Sequence, residues 1–432
     1  MNWKKKSASS WGGLGLSCSE WKEVRLSEIA QYITNKIDIS LVNKENYITT
    51  ENMLPNKGGV TTATNLPNTK KVNASIKGDI LISNIRPYFK KIWFCDYPCG
   101  VSNDVLIIRT KNNNVNNKFL YYFLSQDKFF DFIVGTSKGT KMPRGDKNAI
   151  MNYKLKLPPL DEQEKIAQLF ESFDEKIKIN HEINKILEEI AQTIFKHWFI
   201  DFEFPNENGE PYKSCGGKFV ESELGMIPEG WVVKSLDQIA NYQNGLAMQK
   251  YRPLDGEKSL PVLKIKELNQ GFTDKNSDRC SFQINENVKV YDGDIIFSWS
   301  GTLLVKIWLG GNAGLNQHLF KVTSKDYPKW FYYYWTKFYL DKFIRIAADK
   351  ATTMGHIKRS HLRESLVAVP PQELIKDFNM LFEPIMNKII NTGIESRNLI
   401  QLRDALLPKL MSGEIRIPEA EEAVESCLQK SN

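Results

Sequence analysis

Lysine and arginine are the residues of this chain whose grouping carries chemistry, because an ammonium or guanidinium held in a loop is matched to phosphate oxygens. Lys70, Lys71, Arg86, Lys90, Lys91, Lys138, Lys141 and Arg144 cluster with Gly, Thr and Pro in segments that read as loops or strand ends. Their counterparts further along are Lys264, Lys266, Lys306, Lys350, Lys358, Arg359 and Arg363. Any one of them, taken singly, is equally a solvated surface charge. Their distribution says more. Residues 21–160 carry a net charge of +10 and 231–371 a net +7, whereas 161–230 carry −9 and 372–432 carry −3. Two basic blocks separated by acidic ones are the footprint of a chain that meets a polyanion twice, or of two ordinary basic domains.

Other chemistry is missing. The six cysteines (Cys18, Cys95, Cys99, Cys215, Cys280 and Cys427) form no CxxC pair, and the five histidines lack carboxylate or thiolate company, so we expect neither disulfide scaffold nor metal site. There is no GxxxxGK[ST] phosphate loop. An adenine amino-methyltransferase would carry an Asn/Asp-Pro-Pro-aromatic loop, but the Pro-Pro pairs here read Leu157-Pro-Pro-Leu160 and Val369-Pro-Pro-Gln372. No nucleophile elbow is present, and carboxylate pairs such as Asp174-Glu175 fall on a surface helix. The expectation is a binding protein with no catalytic residue. No apolar run reaches the ~18 residues of a membrane span, and the first 17 residues have no continuous apolar stretch, so a cytoplasmic location is expected.

The elements that must position the basic clusters are duplicated. Trp21-Lys-Glu-Val-Arg-Leu-Ser-Glu-Ile-Ala30 returns as Trp231-Val-Val-Lys-Ser-Leu-Asp-Gln-Ile-Ala240, and Gly78-Asp-Ile-Leu-Ile-Ser83 as Gly293-Asp-Ile-Ile-Phe-Ser298. Gly100-Val-Ser-Asn103 returns as Gly314-Leu-Asn-Gln317, Lys118-Phe-Leu-Tyr-Tyr122 as Lys329-Trp-Phe-Tyr-Tyr333, and Leu157-Pro-Pro159 as Val369-Pro-Pro371. The order is preserved. A period of about 212 residues is far longer than a solenoid unit of about 20–50 residues, so the repeat is a whole domain with its connector. Each copy reads as strand-rich, with an aromatic helix near Phe119–Phe132 and again near Trp330–Phe343, hence a mixed α+β domain.

After each Pro-Pro the period changes. Ile166, Leu169, Phe173, Lys176, Asn180, Ile183, Leu187, Ile190 and Ile194 step by three and four through a stretch, 161–198, free of Pro and Gly. The second copy repeats the seam as Phe378, Leu381, Ile385, Lys388, Thr392, Glu395, Leu399, Leu402 and Leu406, with Pro384 and Gly393 as expected points of a kink. Matching polar waists in the two seams would set antiparallel pairing and register; the alternative is one surface-docked amphipathic helix per domain. The fold class expected is therefore α+β, two pseudo-repeated domains separated by two long antiparallel coiled-coil helices.

Three stretches carry a family signature. Thr136-Ser-Lys-Gly-Thr-Lys-Met142 followed by Leu157-Pro-Pro-Leu-Asp-Glu-Gln-Glu-Lys-Ile166, the link Trp198-Phe-Ile-Asp-Phe-Glu-Phe-Pro-Asn206 to Glu223-Leu-Gly-Met-Ile-Pro-Glu-Gly-Trp231, and Leu402-Arg-Asp-Ala-Leu-Leu-Pro-Lys-Leu-Met-Ser-Gly-Glu-Ile415 together resemble the specificity subunits of type I restriction-modification systems. The resemblance implies this division: first target recognition domain 1–160 with an N-terminal extension, spacer helix 161–200, central linker 201–230, second target recognition domain 231–371, spacer helix 372–412, tail 413–432. It also implies a non-catalytic subunit reading both halves of a bipartite double-stranded DNA target. Two modification subunits would bind S-adenosylmethionine, and restriction subunits would use ATP and Mg2+. On such DNA, Tyr88, Asn103, Gln317 and His356 are candidates to touch bases, although such residues beside strands are also ordinary core or turn residues. The competing readings are a coiled-coil adaptor gripping RNA or an acidic protein, and a fused restriction-methylation enzyme.

Overall fold

The structure, a computed structural model, describes residues 21–348 and 355–429. The chain divides into two compact units, one running up to Asp174 and resuming at Leu402, the other spanning Glu175–Gln401. Both contain the same arrangement, so the repeat in the sequence is a repeat in the fold.

In the first unit, Gly78-Asp79 turns into the fully buried strand Ile80–Ser83, the middle of an antiparallel sheet ordered Ala30–Tyr32, Val105–Thr110, Ile80–Ser83, Ile92–Phe94. Gly78 has φ +94°, a region open to glycine without the Cβ penalty, which is why the repeated turn begins with Gly. Asp79 is buried and anchored by Arg109, at 2.6 and 2.8 Å. In the second unit the corresponding sheet runs Asn241–Asn244, Leu319–Thr323, Ile295–Ser298, Leu304–Ile307, again wholly antiparallel. A two-stranded pair closes each domain at its entry and exit, Lys22–Arg25 with Lys154–Leu157 and Val232–Ser235 with Leu366–Val369.

The second sheet of each copy has diverged. Its common centre is a short strand, Cys99–Val101 or Ala313–Leu315, with one parallel and one antiparallel neighbour. The outer strand, however, extends the antiparallel neighbour in the first unit (Lys36–Asp38 on Lys71–Ser75) and the parallel neighbour in the second (Arg279–Ser281 on Ser259–Leu263). The expected single aromatic helix is in both copies two: Asn117–Leu124 and Asp127–Thr136, then Lys329–Phe338 and Leu340–Ala348. Gln126, in extended conformation at φ −67° and ψ 146°, makes the first break.

The long helices are Leu160–Phe199 and Gln372–Ser412. They pair antiparallel within each unit. In the first, Asp174 meets Arg403 of the second helix at 2.7 Å, and Glu162, near the start of the first helix, meets Arg416, four residues past the end of the second, at 2.6 Å, so the two run in opposite directions. In the second, Asn180 donates to Glu395 at 2.8 Å, Asn184 to the Ile389 carbonyl at 3.1 Å, and Trp198 packs on Phe378 at 4.8 Å. The polar waist is real and buried: Asn180 and Thr392 have almost no exposed surface, and the Thr392 hydroxyl bonds Asn184.

The second helix runs unbroken from Gln372 to Ser412, through Pro384 and Gly393. A side chain at 393 would place Cβ 2.3 Å from the Leu309 methyl, so this glycine lets the helix lie against the domain. The buried stripe also drifts off the heptad. It runs Ile166, Phe170, Phe173, Ile177, Asn180, Ala191, Phe195, Phe199 on the first helix, leaving Ile190 43% exposed, and takes Phe382 rather than Leu381 (36% exposed) on the second. A straight helix of 3.6 residues per turn gains only about 20° per heptad on a 3.5-residue seam, which adds up to roughly 70° by Ile190. The step from Phe378 to Phe382 instead of Leu381 falls within about one turn and is set by local packing. No helix among the described residues is long and apolar enough to cross a membrane.

Candidate nucleic-acid interface

In the first domain the strand Ile80–Ser83 runs out into Asn84-Ile85-Arg86 and a short 3-10 turn, Pro87–Phe89. A strap comes back across it. Lys138 and Arg144 exchange both backbone hydrogen bonds at 2.9 Å, forming a small hairpin with Lys141 near its tip. Arg144 also bridges to Ile85, and the Arg86 N–H donates to the Pro143 carbonyl at 2.8 Å. Gly145 fits closely here, since a Cβ would stand 2.8 Å from the Ile133 side chain and 2.9 Å from the Asn84 side-chain oxygen Oδ1. Arg86, Lys138, Lys141 and Arg144, scattered over 59 positions of sequence, thus come together on one loop cluster.

The second domain repeats the joint. Ile295–Ser298 runs into Trp299-Ser300-Gly301, and Gly355-His356-Ile357 docks on it: Gly301 donates to Gly355 at 3.0 Å, Ile357 to Trp299 at 3.1 Å, and Ser300 bridges to His356. The residues presented have changed from cations to aromatics, with the Trp299 ring 6.0 Å from His318 and 6.3 Å from His356.

The other candidates fall into three groups. Lys70 and Lys71 are exposed on the second sheet of the first domain, where the Lys70 carbonyl accepts from Ile39. Lys90 holds Asp127 at 2.9 Å, Lys138 holds Asp146 at 2.6 Å, Arg144 holds Asp104 at 3.0 Å, Arg363 reaches Asp237 at 3.6 Å, Lys264 pairs with Asp278, and Lys266 lies 3.9 Å from Glu267; these are rim pairs that water and salt weaken. Lys91, Lys306 and Arg359 are engaged by acceptors of the fold itself, which leaves them less free than the others to meet a phosphate. Lys91 donates to the Thr50 carbonyl at 2.5 Å and Lys306 to the Asn269 carbonyl at 2.7 Å, and burial lowers the pKa of both. Arg359 donates to the Tyr242 carbonyl at 3.0 Å with its guanidinium 5.6 Å from the Phe320 ring, tying the helix Arg359–Arg363 to the sheet. Lys358 is exposed at the start of that helix, and Lys350 lies outside the described residues.

Of the base-touching candidates, Tyr88 is exposed on the 3-10 turn, while Asn103 accepts from Lys36 and Asn73 at 3.3 and 3.2 Å. Gln317 is exposed and its amide nitrogen lies 3.3 Å from His318 Nε2. The tyrosine runs are domain core: Tyr122, Tyr332, Tyr333 and Tyr334 are buried, and Tyr333, Tyr334 and Lys337 all converge on Glu188 of the first long helix.

Sequence reasoning missed Asn84, Asn244, Trp299 and His318. Each has a buried polar side-chain atom with no hydrogen-bond partner, and these make up four of the six such residues among the described ones. An unsatisfied buried donor or acceptor costs about 1–3 kcal/mol, and three of these residues, Asn84, Trp299 and His318, lie at the two equivalent joints. A signal was present: Asn84 and Trp299 are the first residues after the repeated Gly-Asp-apolar-Ser motif, where two otherwise parallel copies stop agreeing.

Comparison with known proteins bears on this arrangement. The sequence model of the type I restriction modification DNA specificity domain matches residues 18–189 and again 228–393. The specificity subunit of the type I restriction enzyme MjaIX of Methanocaldococcus jannaschii is 29% identical over 325 residues, 71% of this chain and 71% of its own length. That of HindI from Haemophilus influenzae is 25% identical over 92% of this chain and all of its own length. The crystal structure of a type I restriction-modification S subunit from M. genitalium shares the fold with a TM-score of 0.54 at 14% identity, over 92% of this chain and 98% of that one.

Proposed function

The chain belongs to the type I restriction modification DNA specificity family, and on that premise we propose that it is the subunit that gives such an enzyme its DNA address. Each duplicated domain reads one half of a bipartite duplex target, and the paired helices set the number of base pairs between the halves. The subunit is a recognition component, and the chemistry belongs to its partners. Two modification subunits carry S-adenosylmethionine and methylate adenine at N6, and restriction subunits use ATP and Mg2+. The assembly works in the cytoplasm, where the DNA is. The functional division is the one expected from sequence: 1–160 and 231–371 as the target recognition domains, 161–200 and 372–412 as the spacer helices, with the linker 201–230 and the tail 413–432 between and after them.

The observation that carries this reading is the matched pair of joints. Two domains from one duplication keep the same sheet, turn and strap, yet present different side chains at the same place: cations in one, Trp299 and imidazoles in the other. A duplicated core packing would have no reason to vary there, whereas two readers of different half-sites must. Phosphate contacts from the flanking lysines would give affinity without sequence preference, and groups at the joint would give the preference. The test is to map N6-methyladenine across a genome with and without this chain. The expected result is one bipartite motif with a fixed gap that vanishes with the chain; methylation that persists unchanged would reject the reading, as would RNA being preferred to duplex DNA in a gel-shift with the modification partner present.

A further inference from the structure

Five non-glycine residues among those described have left-handed backbone, and four of them, Asn56 (φ 54°), Lys57 (62°), Arg86 (49°) and Lys90 (53°), lie on two touching turns of the first domain. The Asn56 N–H donates to the Phe89 carbonyl at 2.8 Å and the Lys57 N–H to the Lys90 carbonyl at 2.9 Å, so the two strained turns brace one another. The strained conformation is strongly unfavourable for L side chains, and it persists only where surrounding contacts impose it.

The duplicated domain supplies the control. Gly301 occupies the place of Arg86, three residues past the repeated Ser, with the strap bonded to its N–H in the same way and with φ +66°. The joint needs a left-handed residue in both copies. The second copy uses the residue that adopts this conformation freely, and the first uses arginine in spite of it. Among the described residues Arg86 has no ion-pair partner, unlike Lys57 and Lys90, which share Asp127, or Arg144 on Asp104. Next to it, buried Pro87 anchors a turn that holds Tyr88 and Phe89 out, 48% and 38% exposed, their rings 4.7 Å apart. An unpaired planar fork of donors beside two exposed aromatic rings, ringed by Lys138, Lys141 and Arg144, is complementary to an anionic duplex whose bases carry paired acceptors and apolar edges.

Resting on the DNA-specificity reading above, we infer that Arg86 is a specificity-determining residue: its guanidinium reads the O6 and N7 acceptors of a guanine in the half-site of the first domain, with Tyr88 and Phe89 packed on the neighbouring base edge. Arg86→Gly tests this without risk to the fold, because glycine is the residue the second copy already uses. In the assembled methyltransferase, the variant should keep or raise the melting temperature. In N6-methyladenine maps it should lose roughly 5- to 150-fold of its discrimination at one G·C pair of one half-site, with the other half-site and the gap unchanged. Arg86→Lys, which keeps the charge and loses the fork, should relax the same position. An unchanged motif in both variants overturns the inference. So does uniformly weaker methylation at every site with a salt slope lower by about one, which would make Arg86 a phosphate contact. A lowered melting temperature for Arg86→Gly contradicts the strain argument. Should the unmutated complex write no bipartite motif at all, it is the family reading that fails.

Discussion

Arg359 and Arg144 carry the same charge in duplicated domains, yet one is a structural strut and the other faces outward, and only their partners say which. Arg359 is engaged by the Tyr242 carbonyl and the Phe320 ring, Lys91 by the Thr50 carbonyl, and Lys306 by the Asn269 carbonyl. Those acceptors lie 37 to 117 residues away, so no local pattern in the sequence separates these cations from Arg144. The difference is measurable. Arg144→Ala should weaken duplex DNA binding and flatten log K against log salt by about 0.9, as one lost phosphate contact does. Lys91→Ala should leave that slope unchanged and cost about 1–2 kcal/mol of stability in urea unfolding. The buried indole N–H of Trp299 has no acceptor in the fold, so Trp299→Phe removes an unsatisfied donor and should leave the melting temperature unchanged or raise it. A fall of several degrees would mean that the indole is needed by the fold.

At the level of elements, the sequence was most legible where periodicity is local. The Gly-Asp strand motif and the long helix after Pro159 follow from nearest neighbours in the chain, and both stand in the structure. The seam was legible only in outline. Its polar waist fell on Asn180, Thr392 and Glu395 as read, but the inward position is Ala191 rather than Ile190 and Phe382 rather than Leu381, because which of two neighbouring apolar positions faces inward is decided by packing that the sequence pattern does not contain. The diverged second sheet was not legible, because strands of two to five residues can exchange edges without altering their alternation. Two substitutions probe the helices. Asn184→Ala removes the donor to the Ile389 carbonyl and the acceptor of the Thr392 hydroxyl, and should cost about 1–3 kcal/mol by chemical denaturation. Gly393→Ala sets its methyl against only the Cδ1 end of Leu309, a partly exposed side chain that can turn aside. The gain in helix propensity and the repacking therefore offset one another, and stability should stay within about 1 kcal/mol; a loss of several kcal/mol would mean that Leu309 cannot move.

On the scale of the whole molecule, duplication gives two domains with a shared sheet and joint, and antiparallel pairing recurs in both units, through Asp174 with Arg403 in one and Asn180 with Glu395 in the other. If the helices act as a ruler, the identity of each half-site belongs to its domain and the gap belongs to the helices alone. Removing one heptad from residues 176–190 and the facing heptad from residues 386–399 shortens the pair by roughly 10 Å, which is about three base pairs of duplex. The direct measurement is the N6-methyladenine map written by this deletion variant together with its modification partner. The account predicts the same two half-sites with a gap about three base pairs shorter; altered half-sites, or an unaltered gap with full methylation, would contradict it.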